Sequence, residues 1–226
     1  MKNHTIIELT GLPNSGKTTL IHRLAQELPK RYGITVQVQR EDAEIVPTDI
    51  PKKTWDRNVW ITFGQLQSLV HAYHSPADVV LLDRGFFDAM FWAHFMSSQG
   101  TSTLNQSAGI INILNSLYTN LNFYPDYLFL IDVSVQESLK RRALMEGASV
   151  YSKPDFLNSY HDKFFELFKD YIYGSENANE SHKDKTYNKV IPIPSYYYNT
   201  SRMTPDEIFT KVEADIVNIC CQINNT

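Results

Sequence analysis

Basic charge is scarce in this chain. Of 226 residues, 21 are Lys or Arg and 25 are Asp or Glu, a formal net charge of -4. Bulk nucleic-acid binding, which needs a basic footprint, is therefore not expected. Long hydrophobic runs are also lacking. No apolar stretch approaches the roughly 18 residues of a membrane span, and Met1 to His4 lead straight into a strand-like segment. Neither a membrane anchor nor a secretory signal is expected. Cysteine is limited to Cys220 and Cys221, sequence neighbours that rarely have the geometry to bridge, and this fits a reducing cytoplasm. The seven histidines show no metal-ligand spacing, so no structural zinc is expected. There is no internal repeat and no heptad run. What remains, 42% hydrophobic and 20% charged residues, is the composition of a folded globular domain. The whole chain, 1–226, reads as one domain.

Apolar segments alternate between two periods. Thr5 to Thr10, Ile34 to Val38, Asp78 to Asp83, Tyr127 to Asp132 and Val190 to Tyr198 read as strands. Between and after them, Lys17 to Leu28, Asp56 to Tyr73, Phe86 to Met96, Ala108 to Leu121, Gln136 to Met145, Asp155 to Tyr171 and Pro205 to Ile223 have helical spacing. In the second of these, Val59, Phe63, Leu66 and Val70 fall on one stripe, the expected buried face. Strands separated by helices imply right-handed crossovers and a doubly wound, parallel α/β sheet with helices on both faces. Ser97 to Ser107 and Gly174 to Lys189 are polar and read as a surface loop and a flexible excursion.

Gly11-Leu12-Pro13-Asn14-Ser15-Gly16-Lys17-Thr18 fits G-x-x-x-x-G-K-[ST] between the first strand and the first helix, the context a phosphate-binding loop requires. Glycines let the backbone wrap a phosphate with its N–H groups inward, and the helix N-terminus adds partial positive charge. Gly11, Pro13, Asn14, Ser15, Gly16, Lys17, Thr18 and Thr19 are the candidate donor-nucleotide residues. Lys17 is placed to reach the terminal phosphates, and the Thr18 hydroxyl to hold Mg²⁺. Asp83, ending the third strand, supplies the carboxylate that such sites use near the metal. It is followed by Arg84 and Gly85, so the Asp-Glu pair of motor ATPases is missing. There is no Asn-Lys-x-Asp guanine tetrad either. A kinase is what remains, and the leading reading gives it ATP as donor and Mg²⁺, with the choice between ATP and GTP left open.

The order of landmarks resembles the thymidylate kinase and deoxynucleoside kinase families of P-loop kinases. The resemblance rests on the phosphate loop, Arg40-Glu41-Asp42 after the second strand and Asp83-Arg84-Gly85 after the third. It extends to Pro125 to Val133 and then Leu139-Lys140-Arg141. It runs in register from about Thr5 to about Phe168. It implies a nucleotide-kinase-like P-loop fold with a short lid at about 145–155, and an acceptor that is a nucleoside, a nucleoside monophosphate or a related small molecule. It leaves a homodimer open. There are departures. The lid segment Met145 to Lys153 has no arginine. Gly85 stands where thymidylate kinases tend to have an aromatic and nucleoside kinases a Ser. The usual base-reading Gln of the nucleoside kinases falls near Gly64, with Gln65 and Gln67 out of register.

Each candidate has a bland alternative. Arg84, directly after a buried strand, is read as clamping the acceptor, against an arginine that anchors its own loop. Arg40 is a second acceptor contact, unless Glu41 and Asp42 simply pair with it. Glu41 is a base for an acceptor hydroxyl, or a solvated strand-end acid. Arg141 and Arg142 lie where the lid helix would cover the phosphates and stabilise transferring charge, or they form a solvated helix face. Trp60, Phe63 and Gln67, with Trp55, lie on the segment that lines the acceptor pocket in the resembled families; aromatics at helical spacing are otherwise core. Two rival functions stand beside the leading one. One is a P-loop kinase for another acceptor, such as an antibiotic, a modified base or a nucleic-acid 5′ end. The other is a non-catalytic nucleotide-binding module.

Overall fold

The computed structural model describes residues 4–41, 43, 45–52, 54–144, 153–173 and 191–223. Five strands, β1 (Thr5–Thr10), β2 (Val36–Gln39), β3 (Val79–Asp83), β4 (Tyr127–Asp132) and β5 (Ser195–Asn199), form one parallel sheet in the order β2-β3-β1-β4-β5. The three middle strands owe their continuous apolar sequences to burial on both faces, as a parallel sheet between helical layers requires. Parallel pairing puts all five carboxyl ends on one edge. Ligands in open α/β sheets bind at that edge.

Helices α1 (Lys17–Tyr32) and α7 (Pro205–Ile223) cover one face, packing Leu20, Leu24, Phe209 and Ile216 on Leu9, Leu81 and Ile131. The other face carries α2 (Trp55–Tyr73), α3 (Phe86–Ser98), α4 (Leu104–Ser116, with a π-type extension to Leu121) and α6 (Pro154–Tyr173). There Phe86, Phe91, Phe95, Tyr160, Phe164 and Phe168 form an aromatic core under β1, β3 and β4. The short α5 (Val135–Ala143) follows β4, capped by Ser134. Among the described residues no helix is long and apolar enough to cross a membrane.

Several sequence expectations shift. Pro29 does not end α1; the helix runs on to Tyr32 and closes at Gly33, whose φ of 69° lies in the left-handed region that favours glycine. The polar stretch Ser97 to Ser107 is mostly helical. The α3 helix extends to Ser98, and Thr103 and Gln106 form a reciprocal capping box that starts α4 early, leaving a connection of residues 99–103. In α2 only part of the expected stripe packs inward, Leu66 against the core. Phe63 is 52% and Val70 41% exposed, while Asn58, Thr62, Gln65, Leu69 and Ala72 face inward. The part of the expected lid at 145–152 and the excursion at 174–189 lie outside the described residues; Pro154 and Asp155 already belong to α6.

Candidate active site

The phosphate loop springs from the carboxyl end of the central strand β1. Gly11 has φ 147°, and a Cβ there would stand 1.9 Å from the carbonyl oxygen of Ile131 on β4, so only glycine allows the loop to turn this close to the neighbouring strand. Gly16, with φ 96°, opens α1 in the left-handed region, and nothing lies within 4 Å of where its side chain would be. Backbone amides there can meet a phosphate without obstruction. Asn14 also has positive φ, 60°, and its side chain donates to Ser138 Oγ on α5, which in turn donates to the Pro13 carbonyl. Pro13 and Ser15 are buried, Thr19 exposed.

Lys17 folds back over this loop. Its Nζ donates to the carbonyls of Gly11 (3.0 Å) and Leu12 (2.8 Å) and to Ser15 Oγ (3.1 Å). Burial pushes its pKa down to about 7, reinforced by the Arg84 charge and opposed by Asp83, Glu41 and Asp88. The Thr18 hydroxyl donates to Asp83 Oδ2 at 2.6 Å, joining the start of α1 to the end of β3. Asp83 is 3% exposed, and its buried Oδ1 has no hydrogen-bond partner among the described residues. A hydroxyl oxygen beside a carboxylate with an unused, buried oxygen is the hard-oxygen donor set that suits Mg²⁺. Among the described residues no three His, Cys, Asp or Glu gather as a metal cage.

Next to the loop is a buried charge network. Arg84, with φ 69°, sits in the left-handed region, held there by its N–H to the Leu9 carbonyl; that conformation costs about 1 kcal/mol or more for a residue with a Cβ. Its Nε lies 2.8 Å from Glu41 Oε1 and its NH1 2.7 Å from Asp88 Oδ1. Asp88, 1% exposed on the first turn of α3, also accepts from Thr10 Oγ1 on β1 and from Gln65 Nε2 on α2. Glu41 is largely buried, and desolvation raises its pKa above the usual carboxylate range despite the Arg84 charge. The groups named after β1, β2 and β3 thus meet at one edge of the sheet. The polar inward stripe of α2 continues the network. Asn58 Nδ2, Thr62 Oγ1 and Gln65 Oε1 are buried without partners among the described residues, spaced i, i+4 and i+7 and so stacked along one face.

Not every candidate joins this cluster. Arg40 is exposed at the end of β2; Glu41 pairs with Arg84 and not with it. Phe63 and Gln67 are turned to solvent and Trp60 is half-buried, whereas Asn58, Thr62 and Gln65 of the same helix face the Arg84-Asp88 network. The reason is periodicity: residues 60, 63 and 67 share a helix face opposite the polar one, and a polar inward face reverses the usual apolar-in rule. Arg141 is held by Glu137 and donates to the loop carbonyls of Asn14 and Ser15 and to the Thr200 carbonyl and hydroxyl. Arg142 lies beside it, half-buried. Two residues of the network were not singled out in the sequence. Asp88 stands four residues after Arg84 at helical spacing, which is a readable pairing signal. Glu8 is a lone acid inside a strand that is buried throughout.

No protein-family model matches the chain. It is 27% identical over 171 residues to a probable thymidylate kinase of Sulfurisphaera tokodaii, covering 73% of this chain and 83% of that protein. It is 24% identical over 194 residues to probable thymidylate kinase 1 of Saccharolobus solfataricus, covering 83% and 95%. Deoxyadenosine kinase from M. mycoides with bound dATP superposes with a TM-score of 0.65 at 13% identity, over 95% of this chain and all of that one. The same kinase with bound dCTP gives 0.64 at 12%. At such identities the solved structures speak for the fold, and the fold carries the phosphate loop and the Asp83-Arg84 network at the same sheet edge. The chain thus resembles the probable thymidylate kinases in sequence and deoxyadenosine kinase in fold.

Proposed function

We propose that this enzyme transfers the γ-phosphoryl group of ATP to a hydroxyl of a nucleoside. The observation that carries the choice of acceptor is the company Arg84 keeps. Glu41 and Asp88 already hold its guanidinium at 2.8 and 2.7 Å, and Asp83 is a third acid against the two cations Lys17 and Arg84. A dianionic acceptor phosphate entering here would meet net negative charge; a neutral hydroxyl would not. Glu41 suits the role of base, because burial raises its proton affinity.

The chemistry then follows from positioning and charge. The loop amides and Lys17 bind the donor phosphates. Mg²⁺, when bound, neutralises charge on those phosphates, and the Thr18 hydroxyl and Asp83 carboxylate are the residues that would hold it. Glu41 takes the hydroxyl proton as the oxygen attacks the γ-phosphorus in line, the bond from that phosphorus to the bridging oxygen breaks and ADP leaves, and Arg84 keeps the Glu41 carboxylate oriented. The unpaired Gln65, Thr62 and Asn58 groups offer hydrogen bonds to the base and sugar. Arg141 stiffens the loop from behind.

A second reading has its own support. Two sequence relatives are named probable thymidylate kinases, and Arg40 is exposed at the same sheet edge. In that reading the acceptor is a nucleoside monophosphate, which needs no base because its second pKa of about 6 leaves it ionised. The test is γ-labelled ATP with a panel of nucleosides and nucleoside monophosphates, on the wild type and on Glu41→Gln. Labelled nucleosides, with a loss of about 100-fold or more in Glu41→Gln, support the hydroxyl reading. Labelled monophosphates with Glu41→Gln unimpaired would replace it by the second, and no labelled product with any acceptor would sink both.

A further inference from the structure

The first half of α3 has an unusual support. Gly85 precedes the helix and offers no side-chain cap, yet the first amides of a helix need acceptors. They find one in Glu8, in the middle of β1, 0% exposed and 79 to 80 residues away in sequence. Glu8 Oε2 accepts from the Phe87 amide at 3.0 Å and Oε1 from the Asp88 amide at 2.9 Å. A carboxylate in a strand core is costly, and desolvation pushes this one up to about 8 while the two amides pull it down. An apolar residue would serve the sheet better, so the acid has to be explained by what it holds.

What it holds is Asp88. Its amide is fixed by Glu8, and its carboxylate gathers Arg84, Thr10 and Gln65. Glycine at 85 belongs to the same arrangement. A Cβ there would lie 3.0 Å from Glu8 Oε2, 3.2 Å from Glu8 Cδ and 3.3 Å from Leu82 Cδ1, so a larger residue would push the carboxyl off the two amides. The φ of Gly85 is 174°, an extended value open to any residue, which leaves room for the carboxyl as the reason for glycine. We propose that Glu8, with Gly85 as the residue that makes room for it, is a positioning residue for the acceptor side, setting the Asp88 carboxylate that aims Arg84 and Gln65. This rests on the acceptor role proposed above for Arg84 and the α2 stripe.

The experiment compares Glu8→Gln, Gly85→Ala, the double variant and Arg84→Lys with the wild type. Melting temperature, the dissociation constant for ATP by direct titration, and acceptor KM and kcat are measured for each. The Gln side chain keeps the shape but sets an NH₂ against a backbone N–H, so one of the two bonds is lost. The expected result is an acceptor KM raised about fivefold or more in Glu8→Gln and severalfold in Gly85→Ala, with ATP binding within about twofold of wild type. Because both changes act through one contact, the double variant should be no worse than the worse single one. A lower melting temperature with unchanged acceptor KM in both single variants would overturn the proposal and leave Glu8 a purely structural cap, as would equal damage to ATP and acceptor. Arg84→Lys separates the two levels: if it leaves both acceptor KM and kcat unchanged, the acceptor reading itself has failed, whereas damage to either there with an unchanged KM in the Glu8 and Gly85 variants defeats this inference alone.

Discussion

Binding of a nucleotide to this enzyme is predicted to take up a proton, and Lys17 is the reason. Its ammonium is buried, with two carbonyls and one hydroxyl for partners and the Arg84 charge nearby, and its pKa falls to about 7. A polyphosphate in the loop favours the charged form and restores the pKa toward the ordinary lysine range near 10.4. At pH 8 only about a tenth of the free enzyme carries the charge, so binding draws in about 0.9 proton. At pH 6 about nine-tenths is already charged, and the lysine's share drops to about 0.1 proton. The assay is calorimetric titration with ATP in two buffers of different ionisation enthalpy at each pH. The slope of apparent enthalpy against buffer enthalpy reads the proton count directly. Glu8, up at about 8, and Glu41, held above its ordinary value by burial, add to uptake if phosphate charge raises them further. Lys17→Arg isolates the lysine, because a guanidinium stays protonated throughout; that variant should lose most of the rise between pH 6 and pH 8. A slope independent of pH, or one that the variant leaves intact, would refute the account of Lys17 as a desolvated cation awaiting phosphate.

Other consequences are simpler to read. Asp83→Asn removes the charge beside the Thr18 hydroxyl and should cost at least about tenfold in turnover with a weakened response to Mg²⁺; a turnover and Mg²⁺ titration matching wild type would contradict it. Arg141→Ala withdraws the props behind Asn14, Ser15 and Thr200, so the ATP dissociation constant should rise about fivefold with a smaller change in kcat. A variant that binds ATP normally but loses kcat would restore Arg141 to the role of arginine finger. Gly11→Ala drives a methyl into the Ile131 carbonyl and is expected to abolish soluble expression or lower the melting temperature by about 10 °C or more; normal folding would mean the loop has another way past β4.

Much of this fold is legible because its signals are local. A run such as Val79 to Asp83 can only be a strand buried on both faces, and the glycines of Gly11 to Thr18 are required by backbone angles visible in any P-loop. The α2 helix shows where local reading fails. Its apolar periodicity points to Phe63 and Val70, both exposed, because the rule that apolar residues face inward assumes an apolar interior. Here the interior beside Arg84 and Asp88 is polar, so Asn58, Thr62 and Gln65 turn in and the helix is rotated relative to expectation. The sequence contains those residues, but what reverses the helix is a partner 20 or more positions away.

The same physics separates the acids that sequence reasoning found from the one it missed. Asp83 ends β3 and Glu41 follows two residues after β2, places where a carboxylate reaches the functional edge whatever the rest of the chain does. Glu8 sits three residues before the loop, in the body of β1, where an acid contradicts the strand it occupies. Its reason exists only when α3 docks and presents two free amides to it. Burying a carboxylate costs several kcal/mol unless its hydrogen bonds are made, so the strand and the helix N-terminus are each unfavourable alone and acceptable only together. Such mutually dependent pairs have no local signature beyond the anomaly itself. The lone acid in an apolar run is therefore the signal to follow, and the glycine at 85 is its counterpart, small because the carboxyl from the neighbouring strand needs the space.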